Sequence, residues 1–400
     1  MKKKMLITCT VVLVTAAVIL GFVLKNQVRE NPDKNTVNVA IGQWDTTQNE
    51  SQNYWNPDNH AVAKGMGGYY FIQTTDGISK IAFFDETTQE AVAVCAKPEC
   101  THSDNTCNAY LCDMKQTGSA LYLTDTIYCY NGYLYLIQCE GGMGKLVRIH
   151  TDGSARETIA DLFANTGVSS ISLVFHENDV YAYDDTGHAG QEEEAEEVIK
   201  KISLTDGTEQ TVFSYTGTGA SIDRGRSFGD KLYFVIREYT KNKETKAVSS
   251  DYKGLFEYDF ATGDIRKVID ADVCDYHADT ENQTLFYFVQ GTGLYAYDMT
   301  QGSNTLIYPA EDELIQCKMS YDGKNLYLFN NGAGRATETK ARTQRYCYVL
   351  DTKGNQIAKI LCNGVVYFGD TDYLFEENGD NLEYMKKENL SDKSEWILIN

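Results

Sequence analysis

Residues 320–327 read SYDGKNLY, in which a turn at Asp322 and Gly323 leads directly into the pair Leu326 and Tyr327. Asp and Gly favour tight turns, whereas aromatic and large apolar residues fit the half-buried surface of a pleated strand. The stretch therefore predicts a strand that the chain enters through a tight turn. The same pattern, with variations, occurs seven times along the chain. A unit that recurs this often predicts a repeat architecture.

The seven aromatic strands are regularly spaced. Their anchor residues are Tyr70, Tyr135, Tyr181, Tyr233, Phe286, Tyr327 and Leu374. The intervals between successive anchors are 65, 46, 52, 53, 41 and 47 residues. A second turn lies between the anchors, for example at Asp152-Gly153 and Asp206-Gly207, and it is of the kind that closes hairpins. Each unit therefore reads as four short strands.

Four antiparallel strands in a repeat of this length are typical of a β-propeller blade. We predict an all-β fold in which residues 63–400 form a β-propeller of seven four-stranded blades, with six or eight blades as alternatives. A sandwich or a β-solenoid could also be built from hairpins, but it fits seven similar units less well. The 28 Tyr and 16 Phe, against only 4 Pro, agree with a chain made mostly of paired strands.

The N-terminal residues predict a membrane anchor. Three lysines follow Met1, and the twenty residues 5–24 form an apolar run without charge or proline. A helix of that length spans about 30 Å, the thickness of the hydrocarbon core of a bilayer. The lysines favour a cytoplasmic N-terminus, so we predict a single-pass protein of the cell membrane with an extracytoplasmic propeller. A cleaved signal peptide and a buried helix are the alternatives.

A polar segment lies between the predicted anchor and the propeller, and the acidic net charge argues against nucleic-acid partners. Residues 25–62 are rich in Asn, Gln, Asp and Thr, which predicts a polar stalk, and Trp55 within it is expected to pack on the domain. The net charge is −21 for the chain and −25 beyond residue 30. An acidic surface repels a phosphate backbone, so nucleic acid is excluded as a partner.

Three motifs resemble those of known propellers. Ser320–Tyr327 resembles the turn-and-strand motif of TolB-type propellers, and Tyr122–Asp125 (YLTD) resembles the YWTD box of low-density-lipoprotein-receptor propellers, with Leu in place of Trp. The Cys-rich residues 94–112 resemble a segment that follows the first repeat in membrane-anchored or lipoprotein β-propellers of anaerobic Gram-positive bacteria. This last resemblance covers most of residues 60–400. It implies a fold and a location outside the cytoplasm, and no activity.

The first interval exceeds a typical 47 residues by 18, which is close to the length of Cys95–Cys112. We therefore predict a Cys-rich insertion at residues 95–112, between blades one and two. Its potential ligands follow a C-x4-C-x-H-x4-C-x4-C pattern and are Cys95, Cys100, His102, Cys107 and Cys112. Two disulfides would suit an exported loop without its own core, and this interpretation is preferred. The alternatives are free thiols and a structural zinc ion, which would be bound by Cys95, Cys100, Cys107 and either His102 or Cys112. No other cofactor is predicted.

The sequence contains no HExxH or P-loop motif. A GxSxG pattern occurs once, at residues 225–229, without the strand-to-helix context in which that pattern presents a nucleophile. His150, His176, His188 and His277 lie in different repeats without distinguishing neighbours. The preferred function is therefore non-catalytic: a tethered propeller that binds or scaffolds a protein, peptide or glycan. The alternative is a hydrolase or lyase with its active site in the funnel, which converging His and carboxylates with shifted pKa values would favour. A third hypothesis is a partner of another membrane protein, contacted through small residues of the anchor.

Two polar insertions are the remaining candidates for recognition. Gln191–Lys200 carries five Glu, which predicts a solvated hairpin tip or a short helix, and residues 239–252 form a basic counterpart in the fourth repeat. Insertions in repeat proteins often gather on one face, and that face often binds. We therefore predict a recognition surface that includes these two segments and the Cys-rich insertion.

Overall fold

The SYDGKNLY stretch forms a tight hairpin in the computed structural model of the chain. Ser320 and Tyr321 end one strand, and the next begins at Asn325. The Asp322 carboxylate accepts hydrogen bonds from the backbone N–H groups of Lys324 and Asn325, at 3.0 and 2.8 Å, and so holds the turn. The four apolar residues that follow, 326–329, are all buried, as expected of a strand that is covered on both faces.

The structure describes residues 52–55, 60–116, 121–164, 171–184, 194–241, 244, 248–331 and 344–399. Within these ranges the strands form seven antiparallel sheets, and each sheet uses strands that are consecutive in the chain. Six sheets have four strands, and the first has five because its outer strand is divided in two. The predicted seven blades of four strands are confirmed.

The strands of the first four blades are as follows. Blade 1 contains β1 (Val62–Gly65), β2 (Gly68–Thr75), β3 (Ile78–Asp85), β4 (Ala91–Ala93) and β5 (Tyr110–Asp113). Blade 2 contains β6 (Leu121–Tyr130), β7 (Tyr133–Glu140), β8 (Met143–His150) and β9 (Glu157–Ala164). Blade 3 contains β10 (Ile171–His176), β11 (Asp179–Asp184), β12 (Glu194–Ser203) and β13 (Glu209–Thr218). Blade 4 contains β14 (Ala220–Phe228), β15 (Lys231–Lys241), β16 (Val248–Asp259) and β17 (Ile265–Ile269).

The last three blades are built in the same way. Blade 5 contains β18 (Val273–Asp279), β19 (Thr284–Val289), β20 (Gly293–Asp298) and β21 (Ser303–Pro309). Blade 6 contains β22 (Lys318–Tyr321), β23 (Asn325–Phe329), β24 (Arg345–Asp351) and β25 (Gln356–Cys362). Blade 7 contains β26 (Val365–Tyr367), β27 (Tyr373–Asn378), β28 (Asn381–Lys386) and β29 (Ile397–Leu398). In each blade we call the strands A to D in chain order, with β4 and β5 together forming strand D of blade 1.

The A strands line the centre of the ring and the D strands form its outside. The A strands of neighbouring blades contact one another, as β10 does with β14 and β18 with β22. D strands are largely exposed, for example β17 and β21. Because successive strands of each blade are antiparallel neighbours, the A–B and C–D turns lie on one face of the ring and the B–C turns lie on the other.

The hydrophobic core lies between blades rather than within one. Six clusters of buried side chains join successive blades, and one of them spans blades 4, 5 and 6. Blade 1 meets blade 2 through a cluster that includes Ile81 and Val147, and blade 7 meets blade 1 through one that includes Phe375 and Tyr69. The series of clusters therefore closes on itself.

Trp55 stands at the junction where the ring closes. Its side chain is 1% exposed, and its ring lies 6.0 Å from that of Tyr69 in blade 1 and 5.8 Å from that of Phe375 in blade 7, centroid to centroid. The Tyr69 hydroxyl also donates a 2.7 Å hydrogen bond to Asp370 at the end of blade 7. The prediction that Trp55 packs on the domain is confirmed.

Three sequence-based expectations can be compared with the described residues. The Cys-rich insertion divides strand D of blade 1 rather than joining blades 1 and 2, so its predicted position is corrected. Residues 194–200 belong to strand β12, so the short-helix alternative is wrong for that part of Gln191–Lys200. Residues 5–24 lie outside the described residues. No helix among those described is long and apolar enough to cross a bilayer.

Candidate functional site

The central channel is the first place to look for a site, because the A strands bring side chains from all seven blades together. Strand β14 contributes most, and all nine of its residues are buried. They include Asp223, Arg224 and Arg226, which lie between 1% and 6% exposed. Buried charges are costly unless they are paired, so their partners determine what the channel can do.

Arg226 forms an ion pair that joins three blades. Its guanidinium lies 2.6 Å from the Asp275 carboxylate in β18 and donates a 2.8 Å hydrogen bond to the carbonyl of Met319 in β22. The second Asp275 oxygen accepts a 2.7 Å bond from the N–H of Met319. Both charged groups are thus engaged with blades 4, 5 and 6, and the arrangement is structural.

A second pair, between a buried carboxylate and a half-buried guanidinium, begins earlier in β14. The Asp223 carboxylate is 2.8 Å from Arg237 Nε and accepts a 3.1 Å hydrogen bond from the Ser221 hydroxyl. Burial raises the pKa of Asp223 to about 6, and the Arg237 charge opposes that rise. Next to it the strand bulges at Arg224, whose φ of 59° is left-handed. The Arg224 carbonyl accepts a 2.6 Å bond from the Tyr276 hydroxyl, which helps to hold this conformation.

The segment that precedes blade 1 also packs against the strands that line the channel. Residues Gln52–Tyr54 form one turn of 3₁₀-helix. The Gln52 amide accepts a hydrogen bond from the N–H of Phe175 and donates one to its carbonyl, both at 2.8 Å. The Asn53 amide makes the same pair of bonds with Ser227. Two consecutive side chains therefore pair with the A strands of blades 3 and 4.

His60 continues this segment into blade 2. Its ring stacks on Tyr128 at a centroid distance of 4.1 Å, and its Nδ1 lies 2.7 Å from the carbonyl of Ile127. Burial lowers the pKa of His60 to about 4, so the imidazole is neutral at physiological pH. We call residues 52–55 and 60 the channel segment. It was assigned to the polar stalk from composition, and only Trp55 signalled that it packs on the propeller.

The cysteine loop, residues 95–108, interrupts strand D of blade 1. The residues on either side of the loop bond to the same residue of strand β3, Ile81. The N–H of Val94 donates to the carbonyl of Ile81 at 3.0 Å, and the N–H of Ile81 donates to the carbonyl of Ala109 at 2.9 Å. Strand β3 therefore continues its ladder across the base of the loop. The loop projects from the rim of the propeller, away from the channel-lining strands.

Four of the five predicted ligands converge within this loop. The potential ligand atoms of Cys95, Cys100, His102 and Cys107 all lie within 4.8 Å of one another. His102 Nδ1 is 3.3 Å from Cys107 Sγ. Cys112 is outside this group, because it lies in β5 opposite Ser79 and is buried between blades.

A polar groove lies on the face of the ring that carries the A–B turns, between blades 6, 7 and 1. Its volume is about 770 Å³. Its lining residues are Glu86, Asp322, Gly323, Lys324, Asn325, Tyr327, Thr371, Asp372, Tyr373, Lys386, Lys387 and Glu388. Charges of both signs border it. Beside it the carboxylates of Glu86, Asp370 and Asp372 lie close together, and the Lys64 ammonium pairs with Glu86 and lies 3.1 Å from Asp370.

Known proteins resemble this chain in fold only. An oligogalacturonate lyase from Vibrio parahaemolyticus aligns with 84% of the chain and 88% of its own, at 12% identity and a TM-score of 0.52. TolB from Acinetobacter baumannii aligns with 80% of the chain and 77% of its own, at 12% identity and a TM-score of 0.40. A chain of a nidogen–laminin complex covers 72% of this chain and 91% of its own, at 12% identity and a TM-score of 0.38.

Neither a protein-family model nor a curated protein matches the chain. The three solved structures named above are each 12% identical to the chain. At these identities the likeness extends to the propeller fold and no further.

Proposed function

We propose that the chain is an extracytoplasmic β-propeller, tethered to the cell membrane through residues 5–24, that binds a protein, peptide or glycan and catalyses no reaction. One observation carries this proposal: the side chains of β14, and those of Asn53, Trp55 and His60 in the channel segment, are buried against the protein itself. Strand β14 is wholly buried, and Asn53 and His60 are 2% and 4% exposed. A substrate would have to displace these side chains from their partners to reach the centre.

The acid–base groups of the channel support a structural role. An active site in the funnel would require converging His and carboxylates whose shifted pKa values serve a reaction. Here the pKa values of His60 and Asp223 are shifted, but burial is the main cause in both cases. His60 contacts the Ile127 carbonyl, and Asp223 pairs with Arg237. His60 thus joins the channel segment to blade 2, and Asp223 pairs within blade 4, so both groups have structural partners, which weighs against a hydrolase or lyase.

The polar groove is the described surface best suited to a ligand. Its volume is within the range of about 300–1,000 Å³ that is usual for ligand pockets. Lys324 and Lys386 are exposed along it, opposite Glu86 and Asp372. Groups of both signs suit a ligand that carries both signs itself, and a peptide or protein segment does so more readily than a neutral glycan.

The test is cross-linking of the full-length protein in its own membranes, followed by identification of the captured partners. In a variant with Lys324→Glu and Lys386→Glu, we expect capture to fall several-fold. The matched control carries Lys115→Glu and Lys267→Glu, which make the same change of charge at exposed sites outside the groove. Equal capture by both variants would exclude the groove. Turnover of an oligosaccharide or peptide by the purified protein would instead support an enzyme.

The location is tested separately. An epitope tag placed after Asn400 should be reached by antibody on intact cells, whereas a tag placed before Met1 should be reached only after the membrane is permeabilised. The opposite pattern, or protection of both tags, would contradict the proposed topology.

A further inference from the structure

We propose that Cys95, Cys100, His102 and Cys107 form a closed structural site for one zinc ion. The potential ligand atoms of these four residues lie within 4.8 Å of one another, although the residues are spread over thirteen positions of a surface loop. Nothing in the binding function proposed above requires this site, so the two proposals stand or fall independently.

The ligand set and its spacing suit zinc. Three thiolates and one imidazole form one of the usual sets for structural zinc, and thiolates select soft or borderline metals over magnesium and calcium. Tetrahedral bonds of about 2.3 Å to sulfur and about 2.0 Å to nitrogen place neighbouring ligand atoms roughly 3.5–3.8 Å apart. The 3.3 Å between His102 Nδ1 and Cys107 Sγ is already close to that separation. Because the protein supplies all four ligands, no position remains open for a substrate.

Disulfides account for this arrangement less well. The preferred sequence-based interpretation paired four Cys as two disulfides, and that requires Cys112. Cys112 belongs to β5 and to the core between blades 1 and 2, outside the group of converging ligands. The three sulfurs that remain could form one disulfide, which would leave a thiol and His102 beside it without a shared purpose.

The backbone of the loop turns at the positions that bring the ligands together. Glu99 and His102 have left-handed φ values of 62° and 56°, which few non-glycine residues adopt. The chain bends again before Cys107, whose N–H donates to the carbonyl of Asp104 at 3.1 Å. Such conformations persist only where surrounding interactions hold them.

The loop has no core of its own to supply those interactions. Residues 96–99 and 103–106 are all exposed, and within the loop only Cys107 is buried, with Cys95 and Cys100 partly buried against the same cluster, so the buried surface that holds this segment is small. The energy of metal binding would then be folding energy for the loop. Metal binding would stabilise the hydrogen bonds to Ile81 at the base of the loop, where strand D of blade 1 is divided. It would also stabilise the hydrogen bond that Arg156 of blade 2 donates to the Asn108 carbonyl.

The experiment uses the full-length chain, purified in detergent after expression with added zinc. Elemental analysis should find one zinc per chain. After chelation and denaturation, all 11 Cys should react with a thiol reagent. Replacement of the metal by Co²⁺ should give the visible absorption of tetrahedral cobalt bound to thiolate, a result obtained on the unaltered protein.

Variants identify the ligands. Cys100→Ser and His102→Ala should each weaken zinc binding by more than about 100-fold. Substitution of a residue that only hydrogen-bonds to a ligand typically weakens metal binding by about 10- to 100-fold. Cys112→Ser and Cys139→Ser remove thiols outside the group and should retain one zinc per chain, provided that circular dichroism shows a folded propeller. Absence of zinc and cobalt binding, together with two fewer reactive thiols, would establish a disulfide and overturn the proposal. Loss of zinc in the Cys112 variant alone would overturn the ligand set.

Discussion

Trp55 contacts both the first and the last blade of the ring, although it lies before the first strand. Its indole packs with aromatic residues of blades 1 and 7, in a cluster whose other members belong to those two blades. Each sheet among the described residues consists of strands that are consecutive in the chain, and none includes a strand of another blade. Side chains must therefore hold blades 1 and 7 together.

We expect Trp55→Ala to lower the free energy of unfolding by about 3–5 kcal/mol, because it leaves a large cavity between two blades that no hydrogen-bonded ladder joins. Trp396→Ala is the matched control, since Trp396 is half-buried at the edge of blade 7 and should cost less, about 1–2 kcal/mol. Denaturant unfolding followed by circular dichroism measures both. Equal losses would show that Trp55 does not close the ring.

His60 should make stability depend on pH. In the unfolded chain its imidazole titrates near pH 6.5, whereas burial lowers the pKa in the folded protein to about 4. Below pH 6.5 the unfolded state therefore binds a proton that the folded state excludes. His60 thus stabilises the fold fully above pH 6.5, and this contribution is lost as the pH falls towards 4.

The measurement compares the unaltered protein with His60→Gln by urea unfolding at about pH 7 and about pH 4.5. The stability difference between the two should change by up to about 3 kcal/mol in favour of the variant at the lower pH. Asp223, whose pKa is raised to about 6, contributes with the opposite sign, but it does so equally in both proteins. A difference that does not change with pH would contradict the buried position of His60.

At the scale of the element, the C–D turns of six blades share one device. In each, an Asp carboxylate accepts hydrogen bonds from backbone N–H groups two to four residues further on. The six residues are Asp85, Asp152, Asp206, Asp259, Asp298 and Asp351. This recurrence explains why the turns were visible in the sequence: the carboxylate caps the turn, and in five of the six a glycine takes the left-handed position, whereas Gln89 takes it in blade 1.

Asp259 offers the clearest test of this device. The Lys231 ammonium and the backbone N–H groups of Thr262 and Ala261 lower its pKa to about 2. Asp259→Ala should therefore lower the melting temperature at neutral pH, and the deficit should disappear as the pH falls from about 4 to about 2 and the native carboxylate is protonated. Asp264→Ala, an exposed change in the same turn, is the control. A deficit that persists at pH 2 would refute the capping role.

The repeat could be predicted because each blade needs the same local chemistry: a turn, then an aromatic strand that packs between blades. The shape of the cysteine loop could not. Val94 and Ala109 both bond to Ile81, and this pairing depends on β3, which no local pattern in the loop identifies. The segment 95–108 therefore looked like a connection between blades, although the chain completes strand D of blade 1 after it.

The channel segment shows the same limit more strongly. Gln52 and Asn53 occur in an amide-rich stretch, and such composition is typical of solvated linkers. Their role rests on side-chain bonds to backbone 123 and 174 residues further along the chain. Sequence periodicity describes neighbours within a blade, so contacts of this length leave no mark on it.

At the scale of the whole molecule, the start of the folded unit can be tested by truncation. A chain that begins at Gln52 keeps the amide pairs, Trp55 and His60, and we expect it to fold with an unfolding transition close to that of the full-length protein. A chain that begins at Ala61 loses all of them. It should melt at a clearly lower temperature and exchange amide hydrogens faster in blades 1 and 7. Equal transitions for the two truncated chains would show that the channel segment contributes little.

The channel segment also sets an order of events during synthesis. Asn53 leaves the ribosome early, but its partner Ser227 follows 174 residues later, a delay on the order of 10–30 s at usual rates of translation. Trp55 must wait still longer, until blade 7 supplies Phe375. The first residues of the domain are therefore among the last to find all their native contacts, and Trp55 can dock fully only after blade 7 has been synthesised.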